Sequence, residues 1–176
     1  TLAVQANADG RGELHVFDTA TWKEGTAPRD LAAGSLGVTR FHPQLPLLAY
    51  SVNSTQGPSQ LHVVDARGLS APWTQAVVPP GVDTRAFRDT EVVRWTSFDG
   101  RTISGLINRP PASFKGRRPV LISIHGGPEA QATVGFLNRW QYLIQELGIT
   151  LIQPNVRGSA GFGKTFLALD NGFQRE

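Results

Sequence analysis

The chain repeats part of itself, and this constrains its fold more than any other feature. Residues 2–18 read LAVQANADGRGELHVFD and residues 48–65 read LAYSVNSTQGPSQLHVVD. Leu2, Ala3 and Asn7 recur as Leu48, Ala49 and Asn53, while Leu14, His15, Val16 and Asp18 recur as Leu61, His62, Val63 and Asp65. The first set is offset by 46 and the second by 47, so the second unit carries one extra residue in its loop. Each unit reads as two short strands around a polar turn, NADGRG or NSTQGPS, rich in residues that favour turns. A strand-rich repeat of about 40–50 residues is the signature of propeller blades. At four strands per blade, residues 1–80 are expected to hold roughly two blades. His15 and His62 fall at equivalent positions, which argues for a packing role, since each blade packs in the same way. His42 precedes Pro43 in a turn-like stretch.

The repeat breaks at PPGVDTRAFRDT, residues 79–90, and a linker is placed at 81–90. EVVRWTSFDGRTISGLINRP then gives two alternating strands around Asp99-Gly100, a strong hairpin signal. PPASFKGRRP reads as a loop. From Pro119 the pattern becomes α/β. VLISIH, ending at Gly126-Gly127-Pro128, is a near-continuous apolar run, as expected of a strand buried on both faces. Phe136, Leu137, Trp140, Leu143, Ile144 and Leu147 recur at helical spacing, and Gly148 supplies a stop. ITLIQ, residues 149–153, is a further buried strand, so strand, helix and strand imply a parallel crossover. Lys164 to about Leu169 should be helical. Three segments follow: residues 1–80 as propeller blades, 81–90 as a linker, and 91–176 as the start of an α/β domain.

Composition narrows the function classes. Hydrophobic residues are 40% and charged residues 18%, as in globular domains. No stretch approaches the roughly 20 apolar residues of a membrane span. The chain has no cysteine, which excludes disulfides, thiolate nucleophiles and Cys-ligated metals. No metal or cofactor is expected. The net charge is +3, and Lys115, Arg117 and Arg118 form the one tight basic cluster. It lies in a Pro/Gly-flanked loop without interleaved aromatics, so no nucleic-acid partner is expected. Methionine is absent even at position 1, and the chain opens directly in an apolar stretch. The expectation is a piece of a longer protein, with more blades upstream of Thr1.

Two motifs could carry chemistry. In SIHGGP a strand ends on two glycines, whose backbone can approach a ligand closely. A loop of this type supplies an oxyanion-hole N–H in α/β-hydrolases. His125 is not a triad base on this reading, because the triad histidine follows the nucleophile in that fold. G-x-S-x-G occurs nowhere; Ser35 in AGSLG and Ser159 in RGSAG both lack the first glycine. The second motif is GSAGFGKT, residues 158–165, which matches a P-loop literally. Its glycines would cradle phosphates, Lys164 would reach the β/γ-phosphates and Thr165 would hold Mg²⁺. Against it, Pro154, Asn155, Val156 and Arg157 separate the apolar run from Gly158.

ISIHGGPEAQ, QYLIQELG, PNVRGSAGFGKTF and LDNGFQRE, with VRWTSFDGRTISGLINRP ahead of them, together resemble the prolyl oligopeptidase family of serine peptidases. The resemblance runs from about Glu91 to Glu176. It implies a β-propeller before an α/β-hydrolase domain, a serine hydrolase cleaving short peptides, and a propeller that screens access. It implies an oxyanion loop at His125, Gly126 and Gly127, with the Gly127 N–H as donor. Arg157 would order the PNVRGS loop. The prolyl and dipeptidyl branches carry a tyrosine where His125 stands, so the resemblance favours the acylaminoacyl-peptidase branch. The triad Ser, Asp and His would lie beyond this chain, leaving it inactive alone. Two other readings stay open: a P-loop nucleotide-binding protein, and a non-catalytic propeller module.

Overall fold

A computed structural model describes residues 1–127 and 129–172. Pro128 of the HGGP stretch and the FQRE end of the LDNGFQRE motif lie outside the described residues. The molecule is mostly β-sheet with few helices, and it divides into two compact units. One comprises Thr1–Thr84 and Val134–Phe136, the other Arg85–Thr133 and Leu137–Glu176.

In the first unit, β1 (Leu2–Ala8) and β2 (Arg11–Phe17) form a two-stranded antiparallel sheet. β3 (Gly34–Phe41), β4 (Leu47–Ser54), β5 (Gly57–Asp65) and β6 (Ser70–Pro72) form a four-stranded antiparallel meander in that order. The sequence repeat is reproduced pair by pair. Leu2, Ala3 and Val4 face Phe17, Val16 and His15. Leu48, Ala49 and Tyr50 face Val64, Val63 and His62 at the equivalent places. Asp9 and Gly10 close the first hairpin with φ of 51° and 85°, the pair of positive values a tight two-residue turn demands. The second hairpin shifts register between Val52 and Ser54, and the shift lies on the β5 side. The extra residue read from the two offsets is therefore a β-bulge, which absorbs it without moving the Leu48–Val64 pair.

The repeat also fixes the strand ends. The Asp18 carboxylate accepts the N–H groups of Ala20 and Thr21, at 3.0 and 2.8 Å. Asp65 accepts those of Arg67 and Leu69, at 2.9 and 3.0 Å. In both, the backbone donors hold the carboxyl below the ordinary carboxylate range, since they favour the charged form. Leu14, Leu48, Tyr50, Val52 and Val64 make the buried core, with Ala3, Val16, Leu31 and Leu36 packed against it. Full burial of each such side chain contributes about 1.5–3 kcal/mol. Burial pushes the Tyr50 phenol up, and its hydroxyl pairs with Ser70 Oγ at 2.7 Å. Residues 1–80 thus hold one four-stranded sheet and a separate hairpin, extended by a single bridge between Phe17 and Glu24.

In the second unit, β7 (Glu91–Thr96) and β8 (Thr102–Asn108) form the expected hairpin. Gly100, with φ of 79°, sits in its turn. β9 (Val120–Ile122) and β10 (Thr150–Asn155) complete a sheet of order β7-β8-β10-β9, in which β9 and β10 run parallel. Leu106 and Leu151 are its most buried apolar residues. Three expectations need correction here. The strand in VLISIH is short and is not buried on both faces: Val120, Ile122 and Ile124 are 56%, 60% and 62% exposed, because among the described residues no element covers that side of the sheet edge. The helix begins late, at Trp140, because Asn138 takes φ of 51° and interrupts the helical path. This α1 spans Trp140–Gln145, and Gly148 stops the segment with φ of 64°. Finally, β10 runs on through Pro154 and Asn155, two residues beyond the apolar run. A second helix, α2, spans Lys164–Leu167.

Candidate functional site

Parallel pairing puts the C-terminal ends of β9 and β10 side by side. Val120, Leu121 and Ile122 stand opposite Thr150, Leu151 and Ile152, and His125 and Asn155 each lie three residues beyond the last pair. The loops that leave the two strands meet there, which is where open α/β sheets place their ligand crevices. One loop is the HGG stretch and the other is NVRGSAG.

His125 Nε2 lies 2.8 Å from Ser159 Oγ, and its Nδ1 lies 3.3 Å from the Gly126 carbonyl oxygen. A carbonyl only accepts, so Nδ1 carries the proton and Nε2 accepts from the Ser159 hydroxyl. The pair resembles a nucleophile and its base, but Ser159 is 0% exposed and no substrate can reach it. The ring's other nitrogen faces a carbonyl rather than the carboxylate a triad base needs. His125 instead links its loop to Ser159 in the neighbouring one.

Gly126 and Gly127 are exposed, and their N–H groups have no acceptor among the described residues. Gly127 takes φ of 126°, a conformation that L side chains rarely adopt, and a Cβ there would sit 3.1 Å from Ala130 Cβ. Beyond the glycines, Ala130 O accepts from Ala160 N at 3.0 Å. Asn155 Oδ1 accepts from Ala132 N at 2.7 Å, and Asn155 Nδ2 donates to Ala132 O at 3.3 Å. Asn155 is 1% exposed and thus gives the Ala132 backbone an amide partner away from solvent.

Arg157 donates from Nη1 to Asp99 Oδ2 at 2.7 Å and from Nε to Asp170 Oδ1 at 3.0 Å. Its guanidinium lies over the Phe98 ring, 5.0 Å from the centroid. It ties the β7–β8 turn to the residues after α2 and holds its own loop between them.

The first three amides of the P-loop-like stretch are spent on backbone bonds. Gly158 N donates to Phe166 O, Ser159 N to Val156 O and Ala160 N to Ala130 O, at 3.2, 3.0 and 3.0 Å. A phosphate cradle needs such amides free. Lys164 merely opens the four-residue α2.

The histidines of the repeat sit in local structure. His15 Nδ1 pairs with Glu24 Oε1 at 2.7 Å, and that contact is the main cause raising its pKa above 6.5. His62 stacks on Tyr50 with centroids 5.5 Å apart. His42 Nδ1 accepts the N–H groups of Gln44 and Leu45, closing its turn. No group of three or more His, Asp or Glu among the described residues is placed to hold a metal ion.

Asn155, Ser159, Asp99 and Asp170 are the residues the sequence reading missed. The available signal was the co-occurrence of HGGPEAQA and PNVRGSAG after two parallel strands, which obliges the two loops to touch.

No protein-family profile matches the chain. In sequence it is 30% identical over 79 residues to the uncharacterized peptidase YuxL of Bacillus subtilis (strain 168), covering 44% of this chain and 12% of that protein. It is 38% identical over 56 residues to dipeptidyl aminopeptidase BIII of Pseudoxanthomonas mexicana, covering 31% of this chain and 8% of that protein. In structure it superposes on prolyl oligopeptidase B from Galerina marginata with a TM-score of 0.82 at 17% identity, over 98% of this chain and 24% of that one. Pyrococcus horikoshii acylaminoacyl peptidase gives 0.65 at 21% identity, over 93% of this chain and 25% of that one. The chain thus spans about a quarter of these solved structures. Its resemblance to the prolyl oligopeptidase family holds in fold along nearly its whole length, and its sequence relatives are peptidases.

Proposed function

We propose that the chain is a piece of a serine peptidase of the prolyl oligopeptidase type, which hydrolyses short peptides through an acyl-enzyme. Residues 1–80 are blades of its propeller, 81–90 a linker and 91–176 the first part of its α/β-hydrolase domain. The parallel β9–β10 pair and the crossover between them support that last assignment. The observation that carries the reading is the pair of exposed amides at Gly126 and Gly127, without an acceptor among the described residues, in the loop that follows β9 beside its parallel neighbour.

In this mechanism a serine outside the chain attacks the peptide carbonyl. The oxyanion that forms is held by a fixed backbone donor, the Gly127 N–H. Fixed donors matter because they need no reorganisation as charge develops, and losing one typically costs about 10²–10³ in rate. His125, Gly126 and Gly127 shape the oxyanion loop, and Arg157 orders the loop beside it. The propeller screens the substrates that reach the site. The piece by itself hydrolyses nothing, since it carries no G-x-S-x-G nucleophile.

The test is covalent labelling of the full-length protein with a fluorophosphonate. Labelling at one serine in a G-x-S-x-G context is expected. Failure to label any serine would sink the peptidase reading and leave the propeller as a binding module.

A further inference from the structure

We propose that Asn155 and Ser159 are positioning residues that hold the Gly126–Gly127 amides in place, so that the NVRGSAG loop is the mould of the HGG loop. The inference rests on the oxyanion role proposed for Gly127. The geometry is specific. Ser159 fixes the residue before the glycines, through His125 Nε2 at 2.8 Å. Ala160 fixes Ala130, three residues after Gly127, through a 3.0 Å backbone bond. Asn155 fixes both backbone polar groups of Ala132, at 2.7 and 3.3 Å. The glycines are thus bracketed on both sides by bonds to one short segment, while they themselves stay exposed and their N–H groups find no acceptor among the described residues.

Two successive glycines have the widest conformational freedom of any dipeptide, so an untethered loop would sample many orientations. Oxyanion stabilisation demands one orientation, set before the reaction. Asn155 and Ser159 are 1% and 0% exposed, so neither side chain has another role at the surface. Both are engaged: the Asn155 amide offers an acceptor and a donor to the backbone of one residue, Ala132, and the Ser159 hydroxyl can donate to His125 only from its buried place. Gly161 completes the mould. It takes φ of 88°, and a Cβ there would sit 2.6 Å from Gln131 Oε1, in the same held segment.

The test compares Ser159→Ala, Asn155→Ala, His125→Phe and His125→Gln in the full-length protein. The readouts are peptide hydrolysis and inhibition by a peptide boronic acid, which mimics the tetrahedral intermediate. Ser159→Ala and Asn155→Ala should lower kcat about 10–100-fold with KM within about twofold, as misplacing a catalytic group does. Boronic acid affinity should fall in proportion, while the affinity for a product peptide stays unchanged. His125→Gln reaches Ser159 with a polar atom near the position of Nε2 and should recover most of the rate that His125→Phe loses. Ser159→Ala removes only a hydroxyl, so it remains informative if Asn155→Ala does not fold. A soluble Ser159→Ala with kcat within twofold of the parent overturns the inference, as does a change confined to KM. Both outcomes occur with a wild type that labels with fluorophosphonate. A wild type that does not label instead removes the peptidase reading, and this inference with it.

Discussion

The two hairpins of the repeat and the two loops after β9 and β10 are held together by opposite means. The hairpins are ladders. Leu2 to Ala8 pair with Phe17 to Arg11 in seven consecutive steps, and no single step decides the alignment. The second hairpin even takes in an extra residue and recovers its register. The two loops have no ladder. A handful of side-chain bonds, each made once, fixes the HGG stretch against NVRGSAG. Redundant pairing tolerates substitution, whereas a set of single bonds does not. The same contrast separates what a repeat must preserve from what a site must preserve.

The comparison can be broken most sharply at Asn155. Asn155→Ala strips both bonds from the Ala132 backbone and should cost about 2–3 kcal/mol, the penalty of leaving buried polar groups unpaired. Urea unfolding of the full-length protein would measure it. Val4→Ala, at a ladder position that is 38% exposed, should fall within about 0.5 kcal/mol of the parent. A Val4 effect as large as that of Asn155 would end the distinction. Arg157→Ala comes next. It removes charge-assisted bonds to Asp99 and Asp170 that are only partly shielded, so about 1–2 kcal/mol is expected. Its thermal shift should shrink when Asp170 is already Asn.

Smaller effects test the repeat through pH. Asp18 and Asp65 are depressed in the folded state, so their contribution is present above the ordinary carboxylate pKa. It is lost as pH falls through their lowered folded values. Asp65→Asn keeps an acceptor without the charge and should flatten the acid limb of a Tm-versus-pH curve; an unchanged limb would count against the turn carboxylates. His15 has the opposite sign. Its raised value means its contribution is present below pH 6.5 and is lost as pH rises through the folded value. The His15 midpoint in an NMR titration should lie above 6.5 and move down in Glu24→Gln.

The repeat was legible because it is written twice. Leu48, Ala49, His62 and Val63 announce their pairing by repeating Leu2, Ala3, His15 and Val16, and even the bulge is present as the difference between two offsets. The Asp99-Gly100 hairpin was legible from its turn chemistry alone. The helix onset was not, because the apolar spacing of Phe136 and Leu137 continues that of Trp140 and says nothing of the backbone reversal at Asn138. The exposure of Ile122 and Ile124 was also hidden, since an apolar run reports what a strand could bury and not what lies over it. In the second unit, HGG was readable as a glycine loop after a strand. The partners Asn155 and Ser159 were not, because their bonds depend on which strand lies beside which, and parallel order is a property of the sheet. GSAGFGKT shows the hazard of reading a motif without that context: the same glycines that suggest a phosphate cradle let this loop fold back on itself.

The bulge in β5 has a practical use. A hairpin that restores its alignment within a few residues isolates its tip from the rest of the strand, so length added at Thr55 or Gln56 should not propagate to Leu48 and Val64. That tip is a natural place to graft a short epitope or a fluorophore-binding peptide. The first hairpin, closed by Asp9 and Gly10 with no spare residue, offers no such port.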